Sequence, residues 1–488
     1  MSPAEELAQH LRRPLRRGHT PVGSFTGAAG GAACGDLVRV SVALQEDSLD
    51  GRIADAGFDA SGCGSTIAAG SAAVALVRGV PLLAAARVGA EEIAQELGGL
   101  SAGKRHAAEL AADALHRALG ATARERAQLR GAPGRVLVAM SGGVDSAVAA
   151  LLVAQGGGEA IGVTLELWSD ADNDGELSCC SAQAVRRARE LAHGLGMAHL
   201  SIDLRAEFRA GVIDPWIADH AAGETPNPCI RCNGSVRLDA MLELAERLGA
   251  HELATGHYAR VLAARPGAED PLLRVAADVA KDQSYVLSAL SPRSLARLRF
   301  PLGELTKAQV RELARRSGLD VARRRDSQDL CFLAGTRQDA FLERHGGLGP
   351  RAGAILDAAG ERLGVHAGAH LFTVGQRRGL GVGGRGPLYV LATDARANTV
   401  TVGPRAELLA QGVDACEVTL HRDGACVDGV RVRAHGQRLA CRLGEPLAAG
   451  RHARVRVELQ EPAERTAPGQ LACLYAGDVV VGHATIGA

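Results

Sequence analysis

Several ordinary features are missing from this chain of 488 residues, and each absence narrows what it can be. It has no run of about 18 apolar residues, so no transmembrane helix is expected. The N-terminus lacks the basic-then-apolar order of a signal peptide. Leu11 to Arg17 is Arg-rich but follows Glu5 and Glu6, which argues against an organellar transit peptide. A cytoplasmic protein is expected. Net charge is also missing: Lys plus Arg and Asp plus Glu both number 55. Nothing global draws in nucleic acid, and an RNA partner would have to be held by a local patch. Lysine is scarce, standing only at 104, 281 and 307 while every other basic residue is Arg. Cysteine numbers 11, an odd count in a long chain without an export signal. That disfavours a disulfide framework and leaves reactive or metal-binding thiols.

What is present is organised around Arg135 to Ser146. Val136 to Met140 is a short apolar run that suits a buried strand, Ser141, Gly142 and Gly143 break it, and Ala147 to Val153 resume at helical density. A strand, a glycine turn and a helix start can close backbone N–H groups around an anion, with Ser141 and Ser146 adding hydroxyls. No Lys follows the glycines as in GxxxxGK[ST], and no GxGxxG is present. Beyond this turn, Ala160 to Leu167, His199 to Leu204 and Glu252 to Thr255 read as further strands, with helices at Ala184 to Leu195 and Leu238 to Leu248. Alternating strands and helices predict a parallel sheet with ligands at the carboxyl ends of its strands. Leu165 ends the second strand, placed to meet a nucleotide base.

The length predicts about three domains. Ahead of the turn, Leu37 to Leu44 and Arg52 to Phe58 read as strands and small-residue helices follow from Ser65, an α+β unit over residues 1–125. Ala33-Cys34-Gly35-Asp36, Ser61-Gly62-Cys63-Gly64-Ser65 and Lys104-Arg105-His106-Ala107 supply two thiols, a carboxylate and an imidazole that suit a soft metal or cluster site. Buried structural cysteines are the alternative. Gly120 to Gly134 carries the features of a linker, placed at 126–134.

Within 135–335, Thr225-Pro226-Asn227-Pro228-Cys229-Ile230-Arg231-Cys232-Asn233 sets a Cys-x-x-Cys in a proline-stiffened loop, where a nearby Arg could lower a thiol pKa. Lys281-Asp282-Gln283-Ser284-Tyr285 suits a binding surface or a helix cap, and Asp326-Ser327-Gln328-Asp329-Leu330-Cys331-Phe332 carries a lone Cys after a polar turn. Cys179-Cys180 has no assigned role. Residues 336–410 contain Thr373-Val374-Gly375-Gln376-Arg377-Arg378-Gly379-Leu380-Gly381, a glycine- and arginine-rich loop suited to a phosphate backbone. Residues 411–488 read as short alternating strands of a small β-barrel whose nine Arg balance nine acidic residues. Cys416, Cys426, Cys441 and Cys473 read as strand and core residues.

Taken in order, Ser-Gly-Gly-Val-Asp-Ser, Thr-Pro-Asn-Pro-Cys-x-x-Cys-Asn, Thr255-Gly256-His257-Tyr258, Lys-Asp-Gln-Ser-Tyr and Asp-Ser-Gln-Asp-Leu-Cys-Phe resemble the bacterial tRNA-specific 2-thiouridylase family of PP-loop enzymes. The resemblance implies an α/β parallel-sheet ATP-pyrophosphatase domain, a small central tRNA-binding domain and a C-terminal β-barrel. It implies ATP with Mg2+ as cofactor, and tRNA plus a sulfur donor, a cysteine desulfurase or relay protein, as partners. The wobble uridine would be adenylated at its C2 oxygen and then sulfurated. By the same resemblance Ala139, Met140, Ser141, Gly142, Gly143, Val144, Asp145, Ser146, Leu165 and Gly256 bind ATP. Asn227, Pro228, Cys229, His257, Lys281, Asp282, Gln283 and Gln470 contact tRNA. Cys331 carries sulfur as a persulfide and Cys232 frees it. At Cys229 the best-known members have an Asp, and a thiol could ionise in its place. Cys229, Cys232 and Cys331 could equally hold an iron-sulfur cluster.

The first 125 residues resemble scaffold proteins on which iron-sulfur clusters are assembled, of the NifU and IscU type. That resemblance implies Cys34, Asp36, Cys63 and His106 as metal ligands, and it lacks the third cysteine after the His, where Ala107 stands. The alternative function is an iron-sulfur assembly or carrier protein whose C-terminal half binds RNA without catalysis.

Overall fold

The computed structural model describes residues 3–31, 35–170, 181–263, 270–323, 330–382 and 386–487. These fall into two compact units, one of residues 1–205, 240–257 and 297–332 and the other of 206–239, 258–296 and 333–488.

After a helix at Pro3–Arg12, the first unit has an antiparallel sheet of β1 (Phe25–Gly30), β2 (Leu37–Leu44) and β3 (Ile53–Ser61), followed by helices that include α1 (Gly64–Val77) and α2 (Arg105–Arg126). Val38, Val40 and Val42 share one face of β2 and are fully buried, while on the other face Arg39 is exposed and Ser41 and Ala43 are buried, so the strand is covered on both faces over its second half. Its second element is a parallel sheet of β4 (Val136–Ala139), β5 (Ala160–Glu166), β6 (Ala198–Asp203), β7 (Glu252–Ala254) and β8 (Leu298–Arg299), ordered β8-β7-β4-β5-β6. All four pairings are parallel, as the strand-helix alternation predicts. Helices α3 (Val144–Gln155), α4 (Ala182–Gly194), α5 (Leu238–Arg247) and α6 (Lys307–Arg316) accompany it. Every residue of β4 and β5 is buried; β4 is wholly apolar, and β5 is apolar apart from Thr164 and Glu166.

Helix α2 joins the two sheets. A Cβ at Gly120 would lie 1.9 Å from the Ser201 carbonyl oxygen, so only glycine lets α2 approach β6 this closely. Around that contact Arg117 grips Glu166 through two bonds of 2.7 Å, and Arg186 and Arg189 of α4 each reach Asp113 at 2.8 Å. His116 places Nδ1 2.8 Å from the His199 carbonyl and Nε2 2.9 Å from that of Val88. Burial, with Arg189 and His193 nearby, holds its pKa well below the ordinary histidine value, so the neutral ring donates to one of these carbonyls.

The linker expected at 126–134 begins where this helix ends, and Gly120 lies within the helix rather than in the linker. Helix α2 continues to Arg126, and the Leu129 and Arg130 amides donate to the Arg247 and Leu49 carbonyls at 2.8 Å each. Gly120 serves close packing, and the following chain is pinned by its backbone.

The second unit contains a four-stranded sheet of 353–356, 362–366, 389–394 and 399–403, and a closed six-stranded barrel of 409–420, 429–431, 439–443, 450–464, 471–476 and 479–486. Pairing of 409–420 with 479–486 shuts the barrel, which removes its free edges. Strands 260–262 and 272–274 extend it at 479–486. Val430, Val457, Leu474 and Ala472 lie fully buried in its core. Cys441 and Cys473 are buried as expected, whereas Cys426 is exposed on a short 3-10 turn.

Candidate functional site

In the first unit, β4 delivers its chain into the glycine turn at the carboxyl end of the sheet. Gly142 takes a left-handed φ of 69°, Gly143 caps α3, and Val144 begins it. The turn is closed on itself: Ser146 Oγ accepts from the Ser141 amide at 3.2 Å and donates to the Gly143 carbonyl at 3.1 Å. Ala139, Met140 and Val144 are buried beneath it. A Cβ at Gly256 would lie 2.7 Å from the Ser146 amide, so the segment after β7 packs directly on the turn. Thr255 holds His257 there, with Oγ1 and Nδ1 2.9 Å apart. Lys307, the first residue of α6, donates to both carboxylate oxygens of Asp145 at 2.7 and 2.8 Å. Leu165 is buried and lines a cavity of about 230 Å³ with Ile202, Leu204, Met241 and Leu244. Cys331 is half-buried beside buried Phe332, while Asp326, Ser327, Gln328 and Asp329 lie outside the described residues.

The second unit holds the thiol pair. The Asn227 side chain accepts from the Cys229 amide at 3.1 Å and caps a short helix, Pro228–Arg231, whose first residue is proline. A π-helical stretch, Cys232–Arg237, continues it. The expected loop is thus helical, because the Asn cap and the Pro start one. Cys229 and Cys232, three residues apart, share a face. Cys232 is only 6% exposed. The expected lowering of a thiol pKa is also corrected: burial pushes the Cys229 thiol up, and Arg237 opposes it only in part. The Gln470 side chain donates to the Thr225 carbonyl, and the Thr225 amide donates to Pro468 at 3.1 Å, which ties this segment to the barrel.

In the Lys281–Tyr285 segment, Asp282 is fully buried at its carboxylate. It accepts from Arg431 at 2.8 Å, from the Ser284 hydroxyl at 2.7 Å and from the Ala276 amide at 3.0 Å. Gln283 accepts from the Tyr258 amide at 3.0 Å, and the Tyr285 hydroxyl donates to the Leu471 carbonyl at 2.8 Å. Lys281 is half-buried. Most of this segment secures the fold, and its polar density signals that task as readily as a binding surface.

The third cluster lies in the first unit. Asp36, Cys63 and His106 bring one donor atom each within 4.8 Å of one another. His106 Nε2 is 3.1 Å from Asp36 Oδ2, and the Cys63 amide donates to Asp36 Oδ1 at 3.0 Å. Thr66, overlooked in the sequence, places its hydroxyl 3.2 Å from Cys63 Sγ and 2.9 Å from Asp36 Oδ2, so its one hydrogen can go to either anion. That hydroxyl holds the Cys63 thiol below its ordinary value. Burial raises Asp36, but the Cys63 amide, His106 and Thr66 outweigh it and keep the carboxylate low. Cys34 and Cys179-Cys180 lie outside the described residues. Ala107 is fully buried where a third thiol would stand. One sulfur, one nitrogen and one oxygen fit a single borderline divalent ion, and among the described residues they do not supply the thiolates of a four-cysteine cluster.

A parallel sheet ending in Ser-Gly-Gly-Val-Asp-Ser places the central half of the chain in the PP-loop class of nucleotide-binding proteins. Family models agree over successive stretches: a NifU-like N terminal domain at 4–128, a tRNA methyl transferase HUP domain at 134–335, a tRNA methyl transferase PRC-barrel domain at 339–404 and an aminomethyltransferase beta-barrel domain at 408–486. The bifunctional protein NifU/MnmA of Rubrobacter xylanophilus is 41% identical across 97% of this chain and 95% of its own. The tRNA-specific 2-thiouridylases MnmA of Geobacter metallireducens and Streptomyces coelicolor are 41% and 43% identical over 72% of this chain, covering 97% and 95% of theirs. The chain belongs to the tRNA-specific 2-thiouridylase family, in the form that carries a NifU-like domain ahead of the thiouridylase. Among the described residues no helix is long and apolar enough to cross a membrane.

Proposed function

We propose that this protein is an ATP-dependent tRNA-uridine 2-sulfurtransferase acting through an adenylated uridine and a cysteine persulfide. The observation that carries the reading is the self-closed Ser141–Ser146 turn at the head of α3, whose amides and hydroxyls suit a triphosphate. The family membership supports tRNA as substrate. The uridine C2 oxygen attacks the α-phosphorus of ATP, the bond to the β-phosphate oxygen breaks, and pyrophosphate leaves. The outer sulfur of a persulfide on Cys331 then attacks C2, and AMP departs with the oxygen. Cys232 attacks the inner sulfur of Cys331, so the sulfur is transferred as a disulfide forms between the two cysteines. A dithiol reductant from solution resets the pair.

In this reading Ala139, Met140 and Ser141 to Ser146, with Leu165 and Gly256, bind ATP. Asp145 is the turn's one carboxylate, an oxygen donor of the kind Mg2+ takes. Asn227, Pro228 and Cys229 border the base, while His257, Lys281, Gln283 and Gln470 belong to the tRNA surface, with the buried Asp282 carboxylate fixing that segment from within. A desulfurase or relay protein loads Cys331. Cys229, kept as a neutral thiol by burial, could donate a proton to the departing oxygen.

The test incubates purified protein with tRNA, ATP and a persulfide donor, and measures 2-thiouridine by mass spectrometry alongside AMP. Equal amounts of the two are expected. AMP released without tRNA, or thiolation without AMP, overturns the reading. Iron and acid-labile sulfide on anaerobically purified protein separate the persulfide route from a cluster held by Cys229, Cys232 and Cys331.

A further inference from the structure

We propose that Lys307 is the phosphate-contacting lysine of the glycine turn, supplied from far along the chain, and that its ion pair with Asp145 is an internal stand-in which ATP displaces. The proposal rests on the reading of the turn as an ATP site.

Three observations carry it. The first is place. Asp145 is the second residue of α3, so its carboxylate sits where the helix N-terminus favours negative charge and where a phosphate would lie. Lys307 Nζ meets both its oxygens, at 2.7 and 2.8 Å, and the lysine is only 12% exposed. The second is how the ammonium is held. Lys307 opens α6, and Thr306 with Gln309 forms a reciprocal capping box around that start. The backbone that presents the lysine is therefore fixed, while its four-carbon stem can still turn.

The third observation is residue type. All but three of the 55 basic residues are Arg. The carboxylates that hold this fold together are held by arginine: Asp113 by Arg186 and Arg189, Glu166 by Arg117, and Asp282 by Arg431. A planar guanidinium grips a carboxylate in two places and would serve better if fixing Asp145 were the only task. A compact ammonium on a flexible stem can pass from one anion to another. The turn itself lacks the lysine that phosphate loops of the GxxxxGK[ST] kind carry in sequence, and Lys307 restores that charge in space.

With ATP bound, the ammonium moves from Asp145 to oxygens of the β- and γ-phosphates. There it stabilises pyrophosphate as the α-phosphorus bond breaks, donating hydrogen bonds without giving up a proton. Asp145 is left with its carboxylate toward the nucleotide's cation.

The test is calorimetric binding of a non-hydrolysable ATP analogue, of pyrophosphate and of AMP to the full chain, for wild type, Lys307→Met and Lys307→Arg. In Lys307→Met the analogue and pyrophosphate should weaken by about tenfold or more, the worth of a charge-assisted contact. AMP should stay within about twofold, because it lacks the phosphates concerned. Lys307→Arg, which keeps the charge, should recover part of the loss. Should the Met variant not fold, Lys307→Gln repeats the measurement. Equal weakening of all three ligands would mark a merely structural lysine and overturn the proposal, as would unchanged pyrophosphate affinity. Failure of the wild type to bind the ATP analogue would instead overturn the reading of the turn itself.

Discussion

The N-terminal donor cluster and the Cys-x-x-Cys helix shift the same side chain in opposite directions. Cys63 is exposed, and the Thr66 hydroxyl favours its thiolate. Cys229 is half-buried beside buried Cys232, and burial favours its neutral thiol. A thiol shifted toward its thiolate and open to solvent, next to a carboxylate and an imidazole, is placed to take a metal ion or meet a partner's sulfur. A neutral thiol in a low-dielectric setting is protected from chance oxidation and metal capture, and acts only once chemistry supplies a base or an electrophile. Sequence identity of the residue says nothing of this; the neighbours decide it.

The largest effect that would sharpen the contrast is on thiolation itself. Cys232→Ser should abolish 2-thiouridine formation, while Cys63→Ser leaves single-turnover thiolation from a preloaded persulfide intact. Loss of that turnover in Cys63→Ser would mean that the two sites are one functional unit and would erase the distinction. Next in size is the join between the N-terminal sheet and the parallel sheet. Asp113→Ala leaves buried Arg189 without its carboxylate and Arg186 with Glu109 alone, and removing one partner of a buried pair costs about 3 kcal/mol or more. Urea denaturation should show that loss. A change below about 0.5 kcal/mol, typical of surface sites, would mean that the helix contact does not weld the two sheets.

The architecture was largely legible because its signals are local. The apolar run into Ser141-Gly142-Gly143 marked β4 and its turn, and alternating runs marked the parallel sheet. Three things were hidden for physical reasons. The Gly120 and Pro133 signals look alike in sequence, yet one is a close approach inside a helix. In the sequence, Asn227-Pro228 reads as rigid loop, although the same two residues cap and start the helix Pro228–Arg231. The pairing of Lys307 with Asp145, and of Arg431 with Asp282, spans too much chain for spacing to disclose. Asp282 shows the converse: a polar residue in a recognisable motif whose carboxylate is wholly spent on the fold.

A smaller effect follows from the histidines at that weld. Burial lowers the pKa of His116, His193 and His199 in the folded state, with Arg189 adding to each. Below the ordinary histidine value the unfolded chain then binds more protons than the folded one, so stability falls as pH drops from 7 toward 5. Each such histidine contributes about 1.4 kcal/mol per pH unit in that window. Urea midpoints at pH 7 and pH 5.5 should differ, and His116→Gln should flatten the slope. A slope unchanged by His116→Gln would show that this ring titrates as it does in the unfolded chain.

The finest test acts on the thiol contrast through one hydroxyl. Thr66→Val keeps the shape of a fully buried side chain but removes the donor that favours the Cys63 thiolate. On metal-stripped protein, iodoacetamide labelling of Cys63 followed by peptide mass spectrometry should be several-fold slower in the variant at pH 7.5. The two rates should converge at alkaline pH, where both thiols are ionised, because the reagent consumes thiolate and only its fraction differs. Cys229 in the same samples serves as the internal reference. Its labelling should be slower than that of Cys63 in the wild type, and untouched by the substitution. Equal wild-type rates at the two positions would collapse the contrast, since exposure and pKa both favour Cys63. If Thr66→Val instead slowed Cys63 equally at every pH, access rather than ionisation would be the difference between them.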